Sequence, residues 1–202
     1  MLKRTGWWVM TALALAVASY ALVLLFVPSA RPPFMNGHAM PLAVLLHFGC
    51  SAVALAFGPF QFRADLRARR LELHRWLGRA YVVAVLAGGS AGFALATVAQ
   101  GGLVARTGFG MLALAWLGTT TLAYRTIRRG HDVRHRAWMT RSFALTYAAV
   151  TLRVYLPLSI ASGIPFVEAY PVIAWMCWVP NLLVAEWLFV PRVSSPAVAA
   201  VV

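Results

Sequence analysis

His74 and His135 each begin the same short phrase. His74-Arg75-Trp76-Leu77-Gly78-Arg79 and His135-Arg136-Ala137-Trp138-Met139-Thr140-Arg141 both read His-Arg, then Trp, then Arg. Imidazole nitrogen is a ligand for haem iron, and a planar guanidinium matches a carboxylate bidentately. Two histidines at one depth on facing helices can therefore hold a b-type haem, with Arg75, Arg79, Arg136 and Arg141 pairing with its propionates. The same residues also suit a membrane interface, where His and Arg bond lipid headgroups and Trp76 and Trp138 join the aromatic belt. Glu186 belongs to this cluster by depth, ~30 Å along its own apolar run.

A second pair carries different chemistry. His47 and Arg153 lie inside apolar runs, where ionisable groups are expensive and mark functional sites. Helical rise puts His47 ~10 Å below one edge of the membrane and Arg153 ~22 Å from the other. In a hydrocarbon core of ~30 Å these depths nearly coincide. Arginine stays charged and needs acceptors. It can reach Glu168, backbone carbonyls, or a bound anion or carbonyl ligand. A quinone oxygen accepting from both His47 and Arg153 meets that need. The competing reading has Arg153 snorkelling to headgroups and His47 bonded to a neighbouring helix.

Other chemistry has less support. His131 and His135 are four apart, a metal-gripping spacing on one helical face, but Gly130 puts His131 in a loop and leaves Asp132 as a helix cap. Zinc sites bring more Cys, His or carboxylate than this. There is no Ser-His-Asp order, no Gly-rich phosphate loop and no paired acidic motif. His38 falls in a solvated loop, and Cys50 and Cys177 lie inside apolar runs as small buried residues.

The elements that must position these residues are helices in lipid. The 202-residue chain is 61% hydrophobic and 11% charged, outside the range of a soluble domain. Six apolar runs, residues 6–28, 40–62, 79–99, 107–127, 138–162 and 166–190, are each long enough to cross a membrane. They are continuously apolar without two-residue alternation, which selects helices over a barrel. The expected fold is all-α: one integral membrane domain, a six-transmembrane-helix bundle of three helical hairpins.

Of the 18 basic residues, only Arg31, Arg106 and Arg153 lie away from the N-terminus, the two charged joints and the segment after the sixth run. By the positive-inside rule both termini are cytoplasmic. The formal charge of +13 thus marks orientation and contact with anionic lipid. It does not mark nucleic acid, since no basic-aromatic platform is present. The first run is too long for a signal-peptide core and Pro28 is a poor cleavage context, so it reads as a retained helix. The arginine-over-lysine bias points to a GC-rich bacterial genome and the bacterial cytoplasmic membrane.

Breakers mark the remaining joints: Pro32-Pro33 and Asn36-Gly37, Gly101-Gly102, and Gly163-Ile164-Pro165. Gly88, Gly89 and Gly92 form a small-residue face for close helix approach. Pro171 and Pro180, with Asn181 beside the second, allow a kink in the last run.

His47, Gly58-Pro59-Phe60-Gln61-Phe62, the His74 phrase, Trp116, and His135-Arg136-x-Trp138-Met139-x-Arg141-Ser142 leading to Thr151-Leu152-Arg153 together resemble a prokaryotic membrane family, domain of unknown function 2306. The resemblance spans about residues 40–160. It implies a multi-helix membrane protein and brings no reaction with it. His74-Arg75-x-x-Gly78-Arg79 is also similar to the His-Arg-x-Trp-Gly-Arg signature of haem A synthases, in which that His ligates haem; this implies His74 as an axial ligand. His135-Arg136 matches only the first two positions of that signature, and Glu72 is out of register with the acid that precedes it. Synthase activity is therefore not implied.

The expected function is haem-b binding and electron transfer, with quinone near His47 and Arg153 and a membrane redox partner. The alternatives are a non-catalytic assembly or lipid-contacting protein, or a small anion transporter that uses Arg153 and the kinked last run.

Overall fold

The computed structural model describes residues 4–31 and 40–190. Lys3, Arg192, His38 and the Pro32-Pro33 and Asn36-Gly37 breakers fall outside them. Every regular element among the described residues is helical. The helices are α1 (Arg4–Phe26), α2 (Pro41–Phe57), α3 (Ala64–Arg69), α4 (Leu71–Ala96), α5 (Gly102–Arg128), α6 (Asp132–Thr146), α7 (Ala148–Ala161), α8 (Phe166–Met176) and α9 (Val179–Leu188).

Five segments among the described residues are long and apolar enough to cross a membrane: Arg4–Phe26, Pro41–Phe62, Leu71–Ala96, Asp132–Ala161 and Phe166–Leu188. α5 has 27 residues, ample length, but Arg106 and the Gly118-Thr119-Thr120-Thr121 run lower its hydropathy. Its threonines recover their hydroxyls internally: Thr119 Oγ1 donates to the Ala115 carbonyl and Thr120 Oγ1 to the Trp116 carbonyl, both at 2.8 Å.

Neighbouring helices pack along the chain. α1 packs on α2, α4 on α5, and α6–α7 on α8–α9; α2 then meets α4, α5 meets α6 and α8, and α1 meets α7. The turns use glycine where a left-handed residue is needed. Gly101 (φ 83°), Gly130 (φ 74°) and Gly163 (φ 74°) all have positive φ, a region open to glycine at little cost. Large apolar side chains such as Phe26, Leu103, Val167 and Trp187 stay exposed, as helices in lipid require.

Several boundaries differ from expectation. α4 begins at Leu71, eight residues ahead of the expected start at 79, so His74, Arg75 and Arg79 lie on its first turns. Falling hydropathy marks where a helix leaves lipid, not where it ends. The fifth run is two helices, α6 and α7, joined at Tyr147. The sixth breaks between Met176 and Val179, just ahead of Pro180 at the start of α9. Pro180 lacks the N–H that would bond the Met176 carbonyl. Asp132 lies in the first turn of α6 and makes no side-chain cap; the N-cap residue is His131. Arg31 turns back onto the end of α1, donating to the Leu24 and Leu25 carbonyls at 2.7 and 2.8 Å.

A buried polar knot ties three helices. Tyr81 Oη on α4 lies 2.8 Å from Ser142 Oγ and 2.7 Å from Thr146 Oγ1, both on α6. On α5, Thr120 Oγ1 is 2.6 Å from Ser142 Oγ, and the Trp116 indole N–H donates to Thr146 Oγ1 at 2.9 Å. All five side chains are buried. Tyr81→Phe should lower stability by about 1–2 kcal/mol, the range for polar contacts between membrane helices. Unfolding of the two proteins in mixed micelles measures this; equal stability would mean that the Tyr81 hydroxyl contributes nothing.

Candidate functional site

Helical periodicity connects the knot to the paired histidines. Seven residues is nearly two turns, so i and i+7 share a face ~10 Å apart along the axis. His74 is seven before Tyr81, and His135 is seven before Ser142. The hydroxyls of Tyr81 and Ser142 meet at 2.8 Å. His74 and His135 therefore occupy matching faces, two turns nearer the arginine-rich end.

Both histidines line one large cavity of about 2240 Å³ that opens at this basic end. Arg67, Arg75, Arg79 and Arg136 line it as well. His135 Nδ1 lies 2.9 Å from the Ala123 carbonyl. A carbonyl only accepts, so Nδ1 carries a proton, and in the neutral ring Nε2 is the nitrogen left with a lone pair. The buried Nδ1 of His74 has no partner. Beside it, a side chain on Gly78 would meet the Gln61 amide oxygen at 3.2 Å, and the buried Gln61 Nε2 is also unpartnered.

The other arginines of the cluster are not equivalent. Arg79 lies over the Trp76 ring, 5.9 Å from its centroid. Arg141 makes two hydrogen bonds of 2.8 Å to Glu186 and covers the Trp138 ring at 4.6 Å. It is committed to joining α6 to α9 and does not line the cavity. Arg63 pairs with Asp65, and that guanidinium holds the Asp65 carboxyl below the usual carboxylate range.

His47 and Arg153 line a second cavity of about 380 Å³, nearer the opposite end. His47 Nδ1 lies 2.9 Å from the Gly88 carbonyl, so the ring proton is already donated. The sequence reading had this histidine donating to a quinone oxygen; in its neutral form the remaining nitrogen accepts instead. Arg153 does not reach Glu168. Its Nη1 donates to the Ala149 carbonyl at 3.0 Å, its guanidinium lies 5.5 Å from the Tyr20 ring centroid, and its buried Nε has no partner.

The three glycines of α4 do separate jobs. A Cβ on Gly88 would lie 3.0 Å from Cys50 Cβ, and one on Gly89 2.9 Å from Leu117 Cδ2. One on Gly92 would sit 2.8 Å from His47 Nδ1. Gly92→Ala should push the ring off the Gly88 carbonyl. The Nδ1–H resonance of labelled His47 should then shift or disappear in proton–nitrogen NMR; an unchanged resonance would contradict the assigned contact.

Tyr81, Thr120, Thr146, Tyr20 and Ser51 were not singled out from the sequence. The i+7 relation to His74 and His135 was a usable signal for Tyr81 and Ser142. Tyr20 and Ser51 had none, because only the packing of α1 and α2 brings them to the second cavity. Among the described residues no group of three or more His, Cys, Asp or Glu is placed to hold a metal ion; a two-histidine haem site is a different arrangement.

No curated protein and no solved structure matches the chain. A family model described as predicted membrane protein matches residues 44–189, which takes in His47, His74, His135, Arg153 and the whole Tyr81 knot. Multi-pass apolar helices and lipid-facing side chains agree with that description, and the chain belongs to this family of predicted membrane proteins, DUF2306.

Proposed function

We propose that this is a membrane electron-transfer protein that holds a b-type haem between His74 and His135. In this reading α5 crosses the bilayer with the five more apolar segments. Both termini and the basic end then face the cytoplasm of a bacterium, as the arginine distribution requires. The observation that carries the proposal is the Tyr81–Ser142 hydrogen bond, which brings the matching faces of α4 and α6 together two turns above the two imidazoles.

The residues present fit the group. His135 has a proton fixed on Nδ1 by the Ala123 carbonyl, and a metal-ligating histidine commonly gives its other ring N–H to such a carbonyl. That leaves Nε2 for iron. His74 lines the same cavity and supplies the second imidazole. Arg75, Arg79 and Arg136 would pair with propionates at the open mouth, while Arg141, held by Glu186, keeps α9 against α6. A bound haem supplies one-electron transfer. The protein's part is to fix both rings, provide cationic partners and shield the site with Met139, Phe143 and Tyr147. A lipid-soluble quinone is the electron carrier we assign to the second cavity, with a membrane redox partner beyond it.

The detergent-solubilised protein, expressed with ample haem supply, should give a reduced-minus-oxidised spectrum with sharp b-type bands. His74→Ala and His135→Ala should each abolish the bands while the protein still accumulates in the membrane. A colourless wild-type protein, or bands that survive both changes, would overturn the proposal.

A further inference from the structure

The second cavity makes two chemical demands that one ligand group can meet. Its lining is mostly apolar, with Phe48, Leu112 and Phe166 among its walls. Tyr20, Gln100, Thr146 and Tyr170 contribute polar atoms, and three further polar side chains line it: His47 and Ser51, one turn apart on α2, and Arg153 on α7. Among the described residues the buried Ser51 Oγ and Arg153 Nε both lack a hydrogen-bond partner.

The first demand is for negative charge. Arginine cannot shed its proton in a protein, and a charge in the membrane needs a counter-charge or water. All five acidic side chains of the chain lie within the described residues. Asp65 is paired with Arg63, and Glu186 with Arg141. Glu72 and Asp132 lie in the first turns of α4 and α6, at the far end. Glu168 is exposed on α8 and forms no ion pair among the described residues. Among the described residues no acidic side chain pairs with Arg153.

The second demand is for a proton donor. With Nδ1–H given to the Gly88 carbonyl, the neutral His47 ring presents an acceptor at Nε2. A quinone carbonyl can accept from Arg153 but offers nothing to His47. An ionisable hydroxyl does both.

We infer that this cavity binds an apolar molecule ending in an acidic hydroxyl, of which a hydroquinone and a long-chain carboxylic acid are the two membrane-soluble sources. Arg153 and Ser51 donate to the oxygen. The ligand O–H donates to His47 Nε2, and the oxygen's remaining lone pairs lie beside the guanidinium. The hydroquinone source deepens the proposed electron-transfer role; the site itself does not require haem.

Full-length protein in nanodiscs of neutral lipid provides the test, read by calorimetry or by quenching of Trp116, which lines the cavity. The probes are decylubiquinol with its dimethyl ether and with decylubiquinone, and oleic acid with methyl oleate. At least one hydroxyl-bearing probe should bind about tenfold or more tightly than its O-methyl counterpart, the size of one charge-assisted hydrogen bond. Decylubiquinol showing the preference identifies the redox carrier; oleic acid alone showing it identifies a fatty-acid site. The preference should disappear in Arg153→Gln and His47→Phe and persist in Arg153→Lys. Leu112→Trp, which fills the cavity and leaves both polar residues in place, should abolish binding. Both methylated probes binding as well as their parents, or tight binding of the preferred probe to Leu112→Trp, would each overturn the inference, as would decylubiquinone matching a decylubiquinol that outbinds its ether. Haem content is read separately in the same preparations, so loss of the b-type spectrum and loss of hydroxyl selectivity are distinguishable failures.

Discussion

Tyr81 reaches from α4 to Ser142 and Thr146 on α6, and Thr120 and Trp116 complete the knot from α5. In lipid these groups have no water to fall back on, so an unmatched hydroxyl costs free energy. The cheapest register for the three helices is the one in which all five are satisfied together. That register sets the rest. It places His74 and His135 on matching faces, and it separates the two cavities, since Trp116 and Thr146 line the second while Phe143 and Tyr147 serve the first. Hydrophobic burial does not discriminate between registers here, because lipid is as apolar as the bundle interior. Polar matching does.

Charge is distributed by the same logic of scarcity. With five acids against 18 basic residues, most arginines must find other partners. Arg141 and Arg63 take Glu186 and Asp65, Arg31 takes the free carbonyls at the end of α1, and Arg79 and Arg141 lie over tryptophan rings. Those at the membrane edge can also use water and headgroups. Arg153 has one carbonyl and the ring of Tyr20, and its buried Nε has no partner among the described residues. A charge left in that position is the clearest departure from simple helix packing in the molecule.

The helices were legible because crossing lipid takes a run of about 20 apolar residues, and no short-range rule competes with that requirement. Glycine turns were legible for a local reason, positive φ at Gly101, Gly130 and Gly163. The start of α4 was not, since Arg75 and Arg79 carry the helix past the hydrocarbon edge without breaking it. For the candidate sites, helical rise alone puts His47 and Arg153 at one depth, and both line one cavity. What rise cannot give is which atom faces which. The bond from His47 to the Gly88 carbonyl depends on the approach of α2 to α4, and it reverses the role that residue type alone suggests. The fate of Arg141 depended equally on where α9 folds back.

His47 and His135 are fixed by the same device. Each gives its Nδ1 proton to a backbone carbonyl on an adjacent helix, Gly88 and Ala123 respectively. The Gly88 carbonyl is accessible because Gly88 and Gly92 have no side chains to fill the space between α2 and α4. A stripe of small residues that would ordinarily be assigned to packing therefore also chooses a tautomer. Backbone carbonyls do not titrate, so the choice holds without any nearby carboxylate, which suits a chain with so few acids. In the neutral form of either ring, Nε2 is then the nitrogen available to accept. Beside a second imidazole, in a cavity rimmed with arginines, that lone pair suits a metal. Beside an uncompensated guanidinium in apolar surroundings, it suits an acidic proton.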